Sequence, residues 1–499
     1  MPPTLPAKLP PLVADFLDTP GLVTGTLAEF GSPAHLIFPK VYTDNLTELR
    51  KVLDGRLSRH RICYAHKVNQ SHALVRTAAH SGIAIDVASR QELTSAIDAG
   101  FDPAHIEVTG PKGEAFLREL IDREVTINVD NLWELGRIAE LAGKRTRIPV
   151  LLRVGGFDIG QVTRFGIPPA QLEQAFDLLS TYRGQLAFLG VAFHLDSGDL
   201  GERVRAIDVC LRAIEQAHHR GLTPWVLDIG GGFRQVFTAD AAQFDAYVLA
   251  LRESLLGRGA PMSWGNNTFG YYVTDGAVHG TPVFHKYANT IPAADMLDDL
   301  LTAPLEHQGG RTVAQVARDN VLEVWLEPGK ALVDHAGITV ATVEFVKEAA
   351  DGSVLVHVDL SRDTVTPADQ EVMVDPILLP RRPATRAELD PVGVYLAGRL
   401  CLERDLITNH KVWLPSRPRP GDPIVFPNTA AYHMDLSAST ASMHPLPAKL
   451  AVTRDPEGFR IVRDADYEPD GHTEPVSPHR GMSHAADGVT TPNRSAGAR

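Results

Sequence analysis

The chain has 499 residues, 44% of them hydrophobic and 22% charged, with a formal net charge of -13. Such a balance is ordinary for a soluble globular protein of two or three domains, and it argues against a nucleic-acid or anionic-membrane partner, which would want clustered Lys and Arg. Three cysteines, Cys63, Cys210 and Cys401, are too few for a disulfide framework and suit a reducing cytoplasm, and neither an export leader at Met1-Pro2-Pro3-Thr4-Leu5-Pro6 nor an apolar run long enough to span a membrane is indicated.

Residues 1–34 are rich in Pro and Gly and read as an irregular surface arm. From 35 a rhythm begins. Leu36-Ile37-Phe38 precedes a helical stretch near 44–54, Ile62-Cys63-Tyr64-Ala65 one near 71–80, and Ile83-Ala84-Ile85-Asp86-Val87 one near 90–99. The pattern continues through Ile106–Thr109, Val125–Val129, Val150–Val154, Leu189–Phe193 and Val226–Ile229, each followed by a helix-like or Gly-rich segment. Strands alternating with helices at this spacing imply right-handed βα units on a parallel sheet, and eight or so of them imply a TIM barrel over 35–334, with an open doubly wound sheet as the alternative. The barrel reading places an active site where strands end and loops begin. Residues 236–320 break the rhythm with the aromatic, Gly-rich passage Trp264–Tyr272, either an insertion that covers substrate or a surface elaboration or oligomer contact. Past Glu327-Pro328-Gly329, short β-rich runs between Pro and Gly turns predict an all-β second domain over 335–463, a β-sandwich or β-barrel. Residues 464–499 have no hydrophobic periodicity and read as a disordered tail.

Lys67 ends the run Arg61-Ile62-Cys63-Tyr64-Ala65-His66-Lys67-Val68-Asn69-Gln70, whose continuous apolar stretch suits a strand buried on both faces. A lysine at a strand's carboxyl end is placed for Schiff-base chemistry if an apolar, cation-adjacent pocket lowers its pKa toward the neutral amine. Most lysines in such places only reach water, so the remaining chain must supply a cofactor site. Tyr64-Ala65-His66-Lys67-Val68-Asn69 resembles the Tyr-Ala-x-Lys-Ala-Asn signature of the pyridoxal-phosphate decarboxylases built on an alanine-racemase-like barrel, the diaminopimelate, ornithine and arginine decarboxylases.

The resemblance implies roles for further residues, each at or beyond a predicted strand end. Gly230, Gly231 and Gly232 are similar to the family's phosphate loop, where the lack of Cβ lets backbone N–H groups close around an oxyanion. Ser197, in His194-Leu195-Asp196-Ser197, and Tyr432 would add hydroxyls. His194 would stack on the ring, with Asp196 standing where the family has glycine. Glu327, in Glu327-Pro328-Gly329-Lys330, would face the pyridine nitrogen and keep it protonated, whereas a racemase of this fold uses an arginine there. Lys330 replaces the family's arginine, keeping the charge but losing the bidentate fork, and is expected to serve the phosphate.

Asp86, within Asp86-Val87-Ala88-Ser89-Arg90-Gln91-Glu92, and Arg153 would also sit near the cofactor, and Gly110-Pro111-Lys112 and Arg164-Phe165-Gly166-Ile167 echo further family segments. In the second domain, Gly398-Arg399-Leu400-Cys401-Leu402-Glu403-Arg404-Asp405 resembles the segment that reaches into a partner subunit. Cys401 would return a proton to Cα, a role open to a thiol that titrates not far above neutrality, and Glu403 and Asp405 would meet substrate; a homodimer with shared sites is implied, and no metal. Leu402 replaces an acidic residue, and Leu379 stands where diaminopimelate decarboxylases place an arginine for a distal carboxylate. These departures point to a specialised substrate: a modified, carrier-bound or D-configured amino acid. The implied activity is decarboxylation of an amino acid; the alternatives are a racemase of the same fold or a binding protein that has shed the cofactor.

Overall fold

The structure is a computed structural model, and it describes residues 3–469 apart from 144–146, 158–162, 239, 366–369, 371 and 383–389. The first strand, β1 (Ala34–Ile37), and a short hairpin, β9 (Tyr272–Thr274) with β10 (Ala277–His279), lie outside the barrel. The barrel strands are β2 (His60–Ala65), β3 (Ala84–Val87), β4 (Ile106–Val108), β5 (Thr126–Val129), β6 (Ile148–Arg153), β7 (Leu186–Ala192), β8 (Val226–Asp228) and β11 (Glu323–Leu326). Each pairs in parallel with the next, and β11 closes the ring by pairing with both β8 and β2. Strands such as β3 and β5 are buried along their whole length, because helices cover the outer face while side chains fill the inner one.

Capping residues fix where each loop ends. Ser71 Oγ accepts from Leu74 N–H at 3.2 Å, Ser89 Oγ from Glu92 N–H at 3.1 Å, Asn131 Oδ1 from Glu134 N–H at 3.0 Å and Asp199 Oδ1 from Glu202 N–H at 3.0 Å, so the helix after each of these strands starts at a defined residue. Ser89 and Glu92, which carry part of the family resemblance, therefore serve as a helix cap: Glu92 Oε2 also accepts from Ala88 N–H at 2.6 Å.

The second domain is built on a nine-stranded sheet. Its further strands are β12 (Gly337–Glu348), β13 (Val354–Val358), β14 (Ile377–Leu378), β15 (Val392–Ala397), β16 (Val412–Leu414), β17 (Pro423–Phe426), β18 (Ala448–Asp455) and β19 (Gly458–Arg463). The main path runs β16-β15-β13-β12-β1-β18-β19, and β17 pairs with β12 and β14.

Three expectations are corrected. The run at 35–38 is no barrel strand: β1 inserts between β12, antiparallel, and β18, parallel, so the N-terminal segment completes the second domain's sheet. Residues 1–34 are no irregular arm: they form α1 (Pro11–Asp18) and α2 (Leu22–Phe30), and Phe16 packs edge-on against Phe38 and Phe459 at 5.6 and 5.3 Å. Proline at a helix start needs no N–H partner, which is why a Pro-rich opening is compatible with α1. Within 236–320, the helices Ala293–Thr302 and Val313–Asp319 bury Leu297, Leu300 and Val313 in the main core, while Phe244, Tyr247 and Phe284 form a separate apolar cluster with Leu5 and Met373.

The expected tail boundary also moves. Asp464 is buried, and its carboxylate accepts from Ser71 Oγ, from His72 N–H at 2.7 Å and from Ala73 N–H at 3.1 Å, which ties the chain end to the helix that follows the Lys67 turn. Residues 470–499 lie outside the described residues. A charged group with three hydrogen bonds is worth more than a neutral pair, so Asp464→Ala is expected to lower unfolding free energy by about 2 kcal/mol, read as a shifted urea midpoint at constant slope; an unshifted midpoint would show that the tie is slack.

Candidate active site at the carboxyl end of the barrel

Lys67 lies in the turn His66–Val68, directly after β2, and its Nζ is 3.7 Å from Asp86 Oδ2 at the end of β3. Asp86 is buried, and Thr109, beyond β4, donates from Oγ1 to Asp86 Oδ1 at 2.7 Å. Burial works to lower the lysine's pKa, but the carboxylates of Asp86 and Glu327 outweigh it, and the ammonium is held above its ordinary range. The expected depression of Lys67 is thus corrected: the two carboxylates outweigh both burial and the nearby Arg153. Burial, then Glu327, pushes Asp86 up to about 7 against the pull of Lys67.

The loop carrying Tyr432 is locked to this turn. Tyr432 N–H donates to Val68 O at 2.8 Å, and Asn69 Nδ2 donates to Ala430 O at 2.7 Å, so the asparagine of the lysine motif is a structural tie between domains. Tyr432 sits at φ 66°, a left-handed conformation that a bulky residue holds only where its surroundings demand it.

Opposite, His194 follows β7 and Glu327 follows β11. His194 Nδ1 accepts from Gly231 N–H at 3.3 Å and lies 3.5 Å from Glu327 Oε2. Burial pushes the imidazole's pKa down against the pull of Glu327, whose carboxylate faces Nδ1. Burial alone would raise Glu327, but His194, Lys67 and Arg153 together hold it below the usual carboxylate range. Arg153, at the end of β6, stacks on Phe165 at 4.6 Å and approaches Asp130 at 4.0 Å. Deeper in the barrel, Glu107 and Asp228 lie beside Glu327, with carboxylate oxygens within 4.8 Å of one another, and burial pushes both well up, toward the neutral acid.

The glycine run after β8 passes too close to its neighbours for any side chain. A Cβ at Gly230 would lie 2.2 Å from Phe193 O, at Gly231 2.3 Å from Glu327 O and at Gly232 1.9 Å from Leu195 O. Gly230 and Gly232 also take φ 66° and 77°. Asp228 Oδ1 accepts from Gly230 N–H at 2.8 Å. Beside this loop is a cavity of about 250 Å³ whose lining includes Ser197, Gly232, Arg234, Lys286 and Lys330. Ser197 Oγ accepts from Asp199 N–H at 3.1 Å, which leaves its hydroxyl proton to donate. Lys330 Nζ is ion-paired with Asp196. The two departures from the family pattern therefore meet each other, and Lys330, expected to serve a phosphate, lines the cavity while paired with Asp196.

Sequence reasoning missed Arg203. Its side chain is fully buried in the helix Leu200–His219, where Nη2 donates to Leu195 O and Gly231 O, both at 2.7 Å, and Nε donates to Ser197 O at 3.0 Å. One guanidinium thus staples the His194 loop to the glycine loop. The available signal was its place on the apolar stripe of Ile207, Cys210, Leu211 and Ile214, at three- and four-residue spacing. Lys112 is likewise internal, paired with Glu134 at 3.2 Å and donating to Asn128 O at 2.8 Å.

In the second domain, Cys401, Leu402, Glu403 and Arg404 are all exposed, on a loop that follows β15. Asp405 is buried beneath them. Its Oδ2 accepts from Leu400 N–H and its Oδ1 from Arg362 N–H, each at 2.7 Å, and a Cβ at Gly398 would lie 2.2 Å from Oδ2. The expected substrate contact of Asp405 gives way to this internal role, since both oxygens are spent on holding the loop.

Replacing Arg203 by Met leaves three carbonyls, two of them in buried hydrogen bonds, without donors, and a loss of about 3 kcal/mol in unfolding free energy is expected, with Arg203→Lys losing less. Denaturant titration of the two variants decides it; equal stability of Arg203→Met and the native chain would sink the staple.

The fold and site have counterparts among known proteins. The family model described as "Pyridoxal-dependent decarboxylase, pyridoxal binding domain" matches residues 43–261. An uncharacterised protein of Sinorhizobium fredii, y4yA, is 35% identical over 91% of this chain and 95% of its own length. Diaminopimelate decarboxylase of Bacillus subtilis is 24% identical over 89% of this chain and 91% of that enzyme. Among solved structures, Helicobacter pylori diaminopimelate decarboxylase complexed with L-lysine superposes with TM-score 0.64 at 19% identity, covering 88% of this chain and 96% of that one. The arginine decarboxylase of Paramecium bursaria Chlorella virus superposes with TM-score 0.63 at 20% identity, covering 86% and 97%. The glycine cradle and the ionised Glu327 carboxylate fit the cofactor these enzymes share, and the chain belongs to the family of pyridoxal-phosphate-dependent ornithine, arginine and diaminopimelate decarboxylases.

Proposed function

We propose that this lyase removes the α-carboxylate of an amino acid or amino-acid derivative, that Lys67 holds the cofactor covalently, and that Cys401 of a second copy returns the proton to Cα. The observation that carries the reading is convergence: Lys67, Asp86, His194, the glycine loop and Glu327 leave five different barrel strands and face one volume. When bound, pyridoxal phosphate supplies an electron sink for the pair left behind as CO2 departs.

The chain's own residues do the rest. Lys67 Nζ must shed a proton before it can hold the cofactor's aldehyde carbon, and Asp86 Oδ2, 3.7 Å away and without a hydrogen-bond partner among the described residues, is placed to take it. Glu327, held below the usual carboxylate range, would keep a proton on the ring nitrogen, and His194 would lie against the ring. A racemase of this fold would set a cation in that place, so Glu327 favours loss of CO2 over inversion. Cys401, Leu402 and Glu403 project together from the pinned loop, which supports a reach into a partner's site and a homodimer with shared sites. Leu402, 49% exposed, and Leu379 offer no charge to a distal amine or carboxylate, which supports a substrate other than ornithine or diaminopimelate: a modified, carrier-bound or D-configured amino acid.

Two outcomes are expected. Against a panel of L- and D-amino acids and derivatives the purified chain releases CO2 from at least one, and borohydride fixes its cofactor; Lys67→Ala does neither, and fixation undiminished in that variant would remove Lys67 from the scheme. Mixing inactive Lys67→Ala with inactive Cys401→Ala should restore up to about a quarter of native turnover, because random pairing in a symmetric dimer leaves one intact shared site in half of the dimers. No recovery on mixing would place Cys401 in its own chain's site or in none.

A further inference from the structure

The cavity beside the glycine loop holds more positive charge than its known partners account for. Lys330, standing in the place of the family's arginine, is ion-paired with Asp196. Asp196 is itself held below the usual carboxylate range, because Lys330 and then Lys286 outweigh the effect of its burial. That pair is close to neutral as a unit. Arg234, two residues past the last glycine of the loop, lines the same cavity and makes no hydrogen bond or ion pair among the described residues. Its guanidinium lies directly over Gly198: a Cβ there would fall 1.5 Å from Nε and 2.0 Å from Cζ, so the residue after Ser197 must be glycine for Arg234 to keep this position.

Arg234 also acts on a second cation. Arg203, fully buried behind the loop with only backbone carbonyls as hydrogen-bond partners, has its pKa pushed down chiefly by burial, with Asp196 and Glu202 opposing and Arg234 adding to the fall. Of the two guanidinium groups flanking the glycine loop, Arg203 has the Asp196 and Glu202 carboxylates acting on it, whereas Arg234 makes no ion pair among the described residues and is open to an oxyanion. With the Gly230 and Gly231 N–H groups given to Asp228 and His194, an oxyanion seated on the Gly232 N–H and the Ser197 hydroxyl would face Arg234 across the cavity.

We propose that Arg234, rather than Lys330, supplies the principal positive charge that binds the cofactor's phosphate, and that Asp196 holds Lys330 away from that role. The inference rests on the family's cofactor occupying this barrel end; it assigns the phosphate to a residue outside the motif that carries the resemblance. Arginine suits the task, because its planar fork can give two parallel hydrogen bonds to phosphate oxygens where an ammonium acts as a point charge.

The test compares two ligands that differ only in the phosphate. Full-length chain stripped of cofactor is titrated with pyridoxal phosphate and with pyridoxal, each followed by the visible absorbance of the bound ligand. Arg234→Ala is expected to weaken pyridoxal phosphate at least about tenfold while leaving pyridoxal unchanged, the size of one lost charge-assisted contact. Arg234→Gln, which keeps the packing over Gly198, should behave alike and stands in should the alanine variant fold poorly. Adding Asp196→Asn to Arg234→Ala should win back part of the affinity by releasing Lys330. Native affinity for pyridoxal phosphate in both Arg234 variants, or equal losses for the two ligands, would overturn the proposal; no recovery in the double variant would overturn the part given to Asp196. A native chain that binds neither ligand would instead overturn the cofactor reading beneath it.

Discussion

The site depends on how a buried ammonium is balanced inside the barrel. Lys67 sits among Asp86, Glu327, Tyr432 and Arg153 near the carboxyl ends of the strands, and removing so many groups from water favours their neutral forms. The barrel meets this by spreading protons unevenly. Burial pushes Glu107 and Asp228 toward the neutral acid and raises Asp86 to about 7, whereas Glu327, of these four, stays below the ordinary range because His194, Lys67 and Arg153 outweigh its burial. One carboxylate is therefore held ionised at the strand ends, and one titrating near neutrality stands beside the lysine.

Geometry follows from the same strand ends. The glycine loop lies within contact of three carbonyls from two other loops, so it can approach a ligand with backbone alone, and the price is that it has no side chains with which to hold itself. Arg203 does the holding, by donating to carbonyls on both loops it joins. Asp405 plays the same part in the second domain, where its two oxygens pin the backbone under the exposed Cys401 loop. In both places a buried charge is spent on carbonyls or N–H groups of a loop, which leaves the neighbouring residues free for chemistry.

Much of this was legible in the linear order of residues. Repeated apolar runs of strand length between helical stretches specify a parallel barrel, since only a sheet covered on both faces buries such runs completely, and motif residues at their carboxyl ends land at the active end by the geometry of the fold. The glycine triplet, Lys67, His194 and Glu327 each belong to a local pattern of a few residues, so a single strand and its loop suffice to place them.

What tertiary structure decided involves partners far apart in the chain. Four buried residues, Ala34–Ile37, have the same look in either sheet, and only the arrival of β12 and β18, some three hundred and four hundred residues later, assigns them to the second domain. Asp196 and Lys330 are each a local departure from a family pattern, and nothing in either segment announces that they neutralise one another. Whether Lys67 is depressed or raised depends on which charges share its pocket, which strand order alone determines. The sequence by itself settled the barrel, the sheet domain and the motif residues, because those rest on periodicity and on contacts within one turn of chain. The charge state of the site and the pinning of its loops were left to closure of the barrel, because Coulombic and hydrogen-bond partners are chosen by distance in space.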